Sequence, residues 1–226
     1  MNKSIILMSG GLDSLVALAY SKKHTDYNVE LAITFDYGQK SVKKEIESSK
    51  KICDYYNIEH KIITLDWLKE ITKTSLVADV DVPKEEDDFF QSADSVWVPN
   101  RNALFLNIAA AFCDSFDYNY ILYGANKDEG EIFPDNTEKF RAQVSKLFET
   151  STLVHPKVVA PLINYTKGDI VKIAVRDSVP LEFVSSCYNS SETHCGECKS
   201  CRYLKRALLE NNCEEYIELL FGRQSY

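Results

Sequence analysis

The chain has 226 residues, with 26 Lys and Arg against 34 Asp and Glu and a formal net charge of −8 at pH 7. At 45% hydrophobic and 27% charged it has the composition of a globular protein with a sizeable core, which excludes a disordered or collagenous chain. The acidic balance argues against nonspecific binding of nucleic acid, which depends on Lys and Arg displacing phosphate counterions, and the apolar run from Ala103 to Cys113 is too short for a membrane span of about 20 residues.

Ser4 to Met8 is a short apolar run closed by a glycine pair and reads as a buried strand. No small-residue cleavage site follows it, so a cytoplasmic protein is expected. Leu12 to Ser21 has helical spacing, Val29 to Phe35 reads as a second strand, Gln39 to Tyr56 as an amphipathic helix and His60 to Leu65 as a third strand. Between Lys73 and Pro99 the periodicity fails, and Asp79, Asp81, Glu85, Glu86, Asp87 and Asp88 form an acidic stretch ahead of Phe89-Phe90, as in a charged surface loop. Asn100 to Phe116 reads as a buried helix and Tyr118 to Tyr123 as a strand stopped by Gly124. Asn136 to Leu153 then reads as a helix, Lys157 to Ala160 as a strand and Lys167 to Asp177 as a helix. A cysteine-rich segment begins at Ser185 and is helical over Ser200 to Leu209 and Glu214 to Leu220. Alternating strands and helices imply an α/β fold, a parallel sheet covered on both faces.

Two motifs carry chemistry. Ser9-Gly10-Gly11-Leu12-Asp13-Ser14 sits where the first strand gives way to a helix. Its glycines let backbone approach a ligand, and free helix-start amides with the hydroxyls of Ser9 and Ser14 offer donors to phosphate oxygens. The lysine of a Walker A loop and the G-x-G-x-x-G of a dinucleotide fold are both missing. The second motif is Cys187, Cys195, Cys198 and Cys201, four of the seven cysteines within fifteen residues. In a chain expected in a reducing compartment this reads as a tetrahedral thiolate site, with structural zinc favoured over an iron–sulfur cluster or a redox Cys-x-x-Cys pair. Cys53, Cys113 and Cys213 read as packed thiols.

The S-G-G-x-D-S pattern resembles the signature of the PP-loop ATP pyrophosphatase superfamily, whose loop grips the pyrophosphate end of ATP. With the four cysteines, nearly the whole chain resembles the 7-cyano-7-deazaguanine synthase family. The resemblance extends through Phe35-Asp36-Tyr37-Gly38-Gln39, Val98-Pro99-Asn100-Arg101-Asn102, Tyr123-Gly124-Ala125-Asn126, Ala160-Pro161-Leu162 with Lys167, and Ser186-Cys187-Tyr188. It implies a parallel-sheet adenine nucleotide α-hydrolase-like (PP-loop) domain over 1–184 and a small C-terminal helical zinc-binding segment over 185–226. It also implies ATP bound by Met8, Ser9, Gly10, Gly11, Leu12, Asp13, Ser14, Asp36, Gln39, Gly124 and Asn126. Asp13, Ser14, Arg101 and Lys167 would be catalytic, with Asp13 orienting the loop or helping to hold Mg²⁺, Arg101 on substrate or phosphate and Lys167 on the departing pyrophosphate. Cys187, Cys195, Cys198 and Cys201 would hold Zn²⁺.

The implied activity is ATP-dependent conversion of 7-carboxy-7-deazaguanine and ammonia to 7-cyano-7-deazaguanine by a homodimer with no direct nucleic-acid or membrane partner. Many members carry Asp-x-Ser-Gly-Tyr-Pro-Asp-Cys-Arg-Pro-Glu-Phe after the Gly-x-Asn turn. Here the segment from Asn126 to Phe140 keeps Pro134-Asp135 and Phe140 but not Cys-Arg-Pro. Phe133 is the candidate to stack on the base and Asp135 to read its guanine-like edge. The departure leaves three alternatives: a paralogous ligase passing the adenylated acid to a protein or other amine, a PP-loop tRNA thiolase, and a non-enzymatic ATP-binding module.

Overall fold

A computed structural model describes residues 2–82, 89–189 and 191–222. Five strands, β1 (Asn2–Leu7), β2 (Tyr27–Asp36), β3 (Glu59–Thr64), β4 (Tyr120–Leu122) and β5 (Lys157–Val159), form one sheet in the order β3-β2-β1-β4-β5. Every pairing is parallel. The chain therefore winds outward from β1 in both directions, and the boundary between β1 and β4 is the switch point where open α/β sheets place ligands, beyond the strands' carboxyl ends.

Ten helices among the described residues cover the sheet: α1 (Leu12–His24), α2 (Val42–Tyr56), α3 (Asp66–Ile71), α4 (Phe89–Val96), α5 (Arg101–Phe116), α6 (Lys127–Gly130), α7 (Glu138–Ser151), α8 (Lys167–Asp177), α9 (Lys199–Glu210) and α10 (Glu214–Phe221). Strand alternation sends neighbours to opposite faces. Ile6 joins a core with Leu15, Leu18, Ile52, Ile170, Leu204 and Leu208, from α1, α2, α8 and α9. Ile5 joins a second core with Leu31, Ile33, Leu106, Ile121 and Phe148, covered by α5 and α7. Each such fully buried aliphatic side chain contributes about 1.5–3 kcal/mol. Cys53, Cys113 and Cys213 are buried and unlinked. No helix among the described residues is long and apolar enough to cross a membrane.

Three local departures from the sequence pattern have physical causes. Helix α2 starts at Val42, three residues later than its periodicity suggests, because the Gln39 side chain takes the backbone partners: its Nε2 donates to Phe35 O and its Oε1 accepts from Tyr37 N–H, both at 3.0 Å. A 3₁₀ turn over Pro134–Asn136 precedes α7, whose N-cap is Thr137. The stretch from Lys73 to Pro99 is not wholly irregular. It contains α4 and folds back on itself through Ser75, whose N–H and hydroxyl both donate to Ser95 O, burying Leu76, Val96 and Val98 in the second core. The acidic residues Glu85 to Asp88 and the side chains of Phe89 and Phe90 lie outside the described residues.

Candidate active site

At the carboxyl ends of β1, β2 and β4 a cavity of about 300 Å³ opens, and the phosphate-loop candidate forms its floor. The loop holds its own shape. Ser9 N–H and Ser14 Oγ are 3.3 Å apart, Gly11 N–H donates to Ser9 Oγ at 3.3 Å, and Ser14 Oγ donates to Gly11 O at 3.0 Å. Gly10 has φ +74°, and a Cβ there would lie 2.6 Å from Ser48 Oγ and 2.9 Å from Glu45 O. Only glycine satisfies both the conformation and the space. Gly11 is the N-cap of α1 and supplies no side-chain acceptor to the first turn.

Gly124 lies where β4 passes the start of α1, and a Cβ there would stand 2.8 Å from Asp13 C and Ser14 N. That close passage brings the next segment to the loop. Asn126 caps α6 by accepting Glu129 N–H on Oδ1 at 3.0 Å, which turns Asp128 and Glu129 toward Lys167. Lys167 is the first residue of α8, fixed by a capping box between Thr166 and Asp169, and its backbone N–H donates to Asp128 Oδ2 at 2.7 Å. A cation at a helix N-terminus opposes the helix dipole, so its location is explained by the acids it meets. Its Nζ lies 2.6 Å from Asp13 Oδ2 and 3.3 Å from Glu129 Oε1.

Burial pushes the Asp13 carboxyl up, Lys167 pulls against it, and Glu129 adds to the upward push. Burial also disfavours the Lys167 ammonium, but Asp13 and Glu129 together hold it above the ordinary lysine range. The pair is thus an ammonium locked between carboxylates. Asp13 Oδ1 is buried with no hydrogen-bond partner among the described residues and belongs to a cavity-lining side chain, so a hard oxygen donor is available there for a divalent cation.

Across the cavity, Arg101 opens α5 after Asn100, which takes a left-handed conformation. Its Nη1 donates to Tyr37 Oη at 3.2 Å. Despite burial, Tyr37, Asp135 and Glu45 hold the guanidinium firmly charged. Asp135, on the 3₁₀ turn, has its carboxyl raised by burial against the pull of Arg101. Glu45 is also raised by burial, while the Ser41 hydroxyl and Gln39 Nε2 donate to it. The walls between these groups are flat: Phe35 stacks on Phe105 at 3.9 Å and 8°, and Trp97 on Phe133 at 5.9 Å and 19°.

Of the residues expected from sequence, Met8, Ser9, Gly11, Asp13, Ser14, Gln39, Arg101, Gly124 and Lys167 line this one cavity. Gly10, Leu12, Asp36 and Asn126 support it without lining it; Asp36 Oδ1 accepts Gly38 N–H at 3.0 Å to shape the β2 turn. Phe133 and Asp135 do reach it. Tyr37, Glu45, Trp97, Phe105, Tyr188 and Ser186 are added by the structure. Tyr37 falls within the stretch after the second strand, whereas Glu45 carries no sequence signal beyond a helical acid.

Cys187, Cys195, Cys198 and Cys201 bring their Sγ atoms within 4.8 Å of one another. Thiolates around zinc at about 2.3 Å stand about 3.8 Å apart, and Cys195 Sγ lies 3.8 Å from Cys201 Sγ. Backbone N–H groups of Asn189 and Cys195 point at Cys187 Sγ, and that of Cys198 at Cys195 Sγ, each at 3.4 Å. Such amides offset negative charge on sulfur, and the donor set fits a soft or borderline metal ion. Cys187 also lines the cavity, so the cysteine-rich segment is part of its wall.

A 7-cyano-7-deazaguanine synthase of Methanosarcina barkeri is 45% identical over 216 residues, spanning 91% of this chain and 93% of its own. One from Carboxydothermus hydrogenoformans is 46% identical over 213 residues, spanning 92% and 98%. Among solved structures, the U34-tRNA thiolase NcsA from Methanococcus maripaludis with its [4Fe-4S] cluster superposes with a TM-score of 0.52 at 18% identity, covering 96% of this chain and 70% of that one. That likeness concerns the fold alone. The family described as queuosine biosynthesis protein QueC matches residues 3–212, nearly the full span of sheet, cavity and cysteine cluster, and the chain belongs to that family.

Proposed function

We propose that the protein makes 7-cyano-7-deazaguanine from 7-carboxy-7-deazaguanine, ammonia and ATP. The observation that carries this reading is the one cavity that joins the Ser9–Ser14 loop, the Asp13–Lys167 pair, Arg101 and flat aromatic walls at the sheet's switch point. Relatives bearing that activity in their names match over nine-tenths of the chain.

In this reading the amides and hydroxyls of the loop bind the ATP phosphates, and Lys167 neutralises charge on the departing pyrophosphate. Arg101 orients the substrate carboxylate for attack on the α-phosphorus, forming the acyl-adenylate and releasing pyrophosphate. Ammonia then displaces AMP to give the amide. A second ATP adenylates the amide oxygen with release of pyrophosphate and one N–H proton, and loss of AMP with the remaining N–H proton leaves the nitrile. Phe133 with Trp97 supplies a stacking surface for the deazapurine, and Asp135 an acceptor for its guanine-like edge. Asp13 would hold Mg²⁺ through its unpartnered Oδ1, and the ion would supply charge neutralisation to the phosphates. The four cysteines would hold Zn²⁺ in a structural role, since four sulfurs would fill a tetrahedral site and leave no position for substrate.

Residues 185–226 act as a metal-binding segment whose helix α9 packs into the core of the nucleotide-binding part, 1–184. A cytoplasmic homodimer completes the proposal, supported by exposed Ile62 on the edge strand β3 and by Trp67 and Ile71 on the following α3. The net charge of −8 supports a small-molecule substrate over nucleic acid. The test is mass spectrometry of protein incubated with the acid, ATP, Mg²⁺ and ammonium, following small molecules and intact protein. A nitrile that requires both ATP and ammonium supports the reading; a deazaguanine mass on the protein, or ATP consumed without nitrile, overturns it in favour of a ligase using another amine.

A further inference from the structure

The first turn of α1 meets a residue 174 positions away: Leu12 N–H donates to Ser186 Oγ at 3.3 Å. Beside it, Ser185 N–H donates to Gly10 O at 2.8 Å. The strap is anchored from behind, because Ser186 N–H donates to His194 Nε2 at 3.0 Å and His194 N–H donates to Leu220 O at 3.0 Å. The next residue is Cys187 of the thiolate cluster. Ser185 and Ser186 both line the cavity alongside Ser9, Gly11 and Ser14. Gly11 offers α1 no side-chain cap, and the Ser186 hydroxyl accepts the N–H of the helix's first residue from across the fold.

A hydroxyl that accepts one N–H retains a proton to give. At a helix start that faces an anion site, the natural recipient is a phosphate oxygen. We propose that Ser186 is a phosphate-binding residue for ATP, supplied to the loop by the metal segment. It accepts from Leu12 N–H and donates to the phosphate, so the nucleotide site is complete only when the strap from Ser185 to Cys187 is seated. This rests on the reading of the loop as the ATP phosphate site.

The test is calorimetric titration of metal-loaded protein with ATP, pyrophosphate and adenosine in the presence of Mg²⁺. In Ser186→Ala the Kd for ATP and pyrophosphate should rise about 10- to 100-fold, as expected for a lost hydrogen bond to a charged group, with adenosine affinity and metal content unchanged. Ser186→Asp keeps an acceptor for Leu12 N–H but sets a carboxylate against the phosphate. It should fold with full metal content, bind adenosine normally and lose pyrophosphate altogether. Wild-type pyrophosphate affinity in either variant, or adenosine weakened in the same ratio, overturns the assignment of Ser186. If the unaltered protein binds neither ATP nor pyrophosphate, the loop reading itself fails, and the two outcomes are distinguishable. Should Ser186→Ala shed its metal, the Ser186→Asp result decides alone.

Discussion

Replacing Lys167 with Met removes the ammonium and keeps much of the side-chain length. At the 2.6 Å separation from Asp13 Oδ2 and an effective dielectric constant of about 20, the gross attraction is about 6 kcal/mol. Desolvation of both groups offsets most of it. What the variant exposes is the cost of leaving a buried carboxylate unpaired, about 3–5 kcal/mol. Both side chains are under one-fifth exposed, so solvent screening discounts this only slightly. Glu129, at 39% exposure, adds little. For a chain of this length the loss corresponds to a fall in Tm of about 6–20 °C.

The sign of the pH dependence follows from Asp13. Its folded-state pKa, already raised by burial, rises further without Lys167, so the variant is least penalised at low pH and loses stability as pH increases through that folded value. Differential scanning calorimetry at pH 5 and pH 8 should show the larger deficit at pH 8. Asp13→Asn combined with Lys167→Met should recover most of the Tm without recovering turnover, which should fall about 10²–10³-fold through loss of a charge-stabilising group. A Tm shift below about 2 °C with full turnover, or a double variant no more stable than Lys167→Met, would refute the reasoning.

Cys198→Ser should lower metal content, measured by plasma mass spectrometry, and Tm together, because a thiolate of a closed site is lost and its binding energy is folding energy; a stable, metal-free and active variant contradicts the structural assignment. Gly10→Ala should cost about 1–2 kcal/mol from its positive φ alone, and more from overlap with Ser48 Oγ and Glu45 O, lowering the urea midpoint and raising KM for ATP. An unchanged midpoint means that the loop tolerates a side chain there.

Local signals in the sequence locate much of this molecule. The glycine pair after an apolar run marks the loop, and cysteine spacing marks the thiol cluster. Helix starts at Arg101 and Lys167 mark the two cations, since each element's beginning is set by neighbours close in sequence. The remainder depends on distant partners. Helices α3 and α4 have six and eight residues, too few to establish a period. Trp97 and Val98 enter the cavity wall because Ser75 draws the chain back at Ser95, and Glu45 faces it because Gln39 and Ser41 hold its carboxylate. Ser186 is drawn to α1 by a fold 174 residues in the making.

That separation also bears on how the protein is born. The loop at residues 9–14 is made well before Ser185, which secures Gly10, and before Cys201, the last sulfur of the cluster. Bringing such remote residues together requires closing most of the chain into a loop, a slow step in folding. A nascent chain therefore carries the loop without its contacts to Ser185 and Ser186 until the segment 174 residues further on has been made, so these contacts form late in folding.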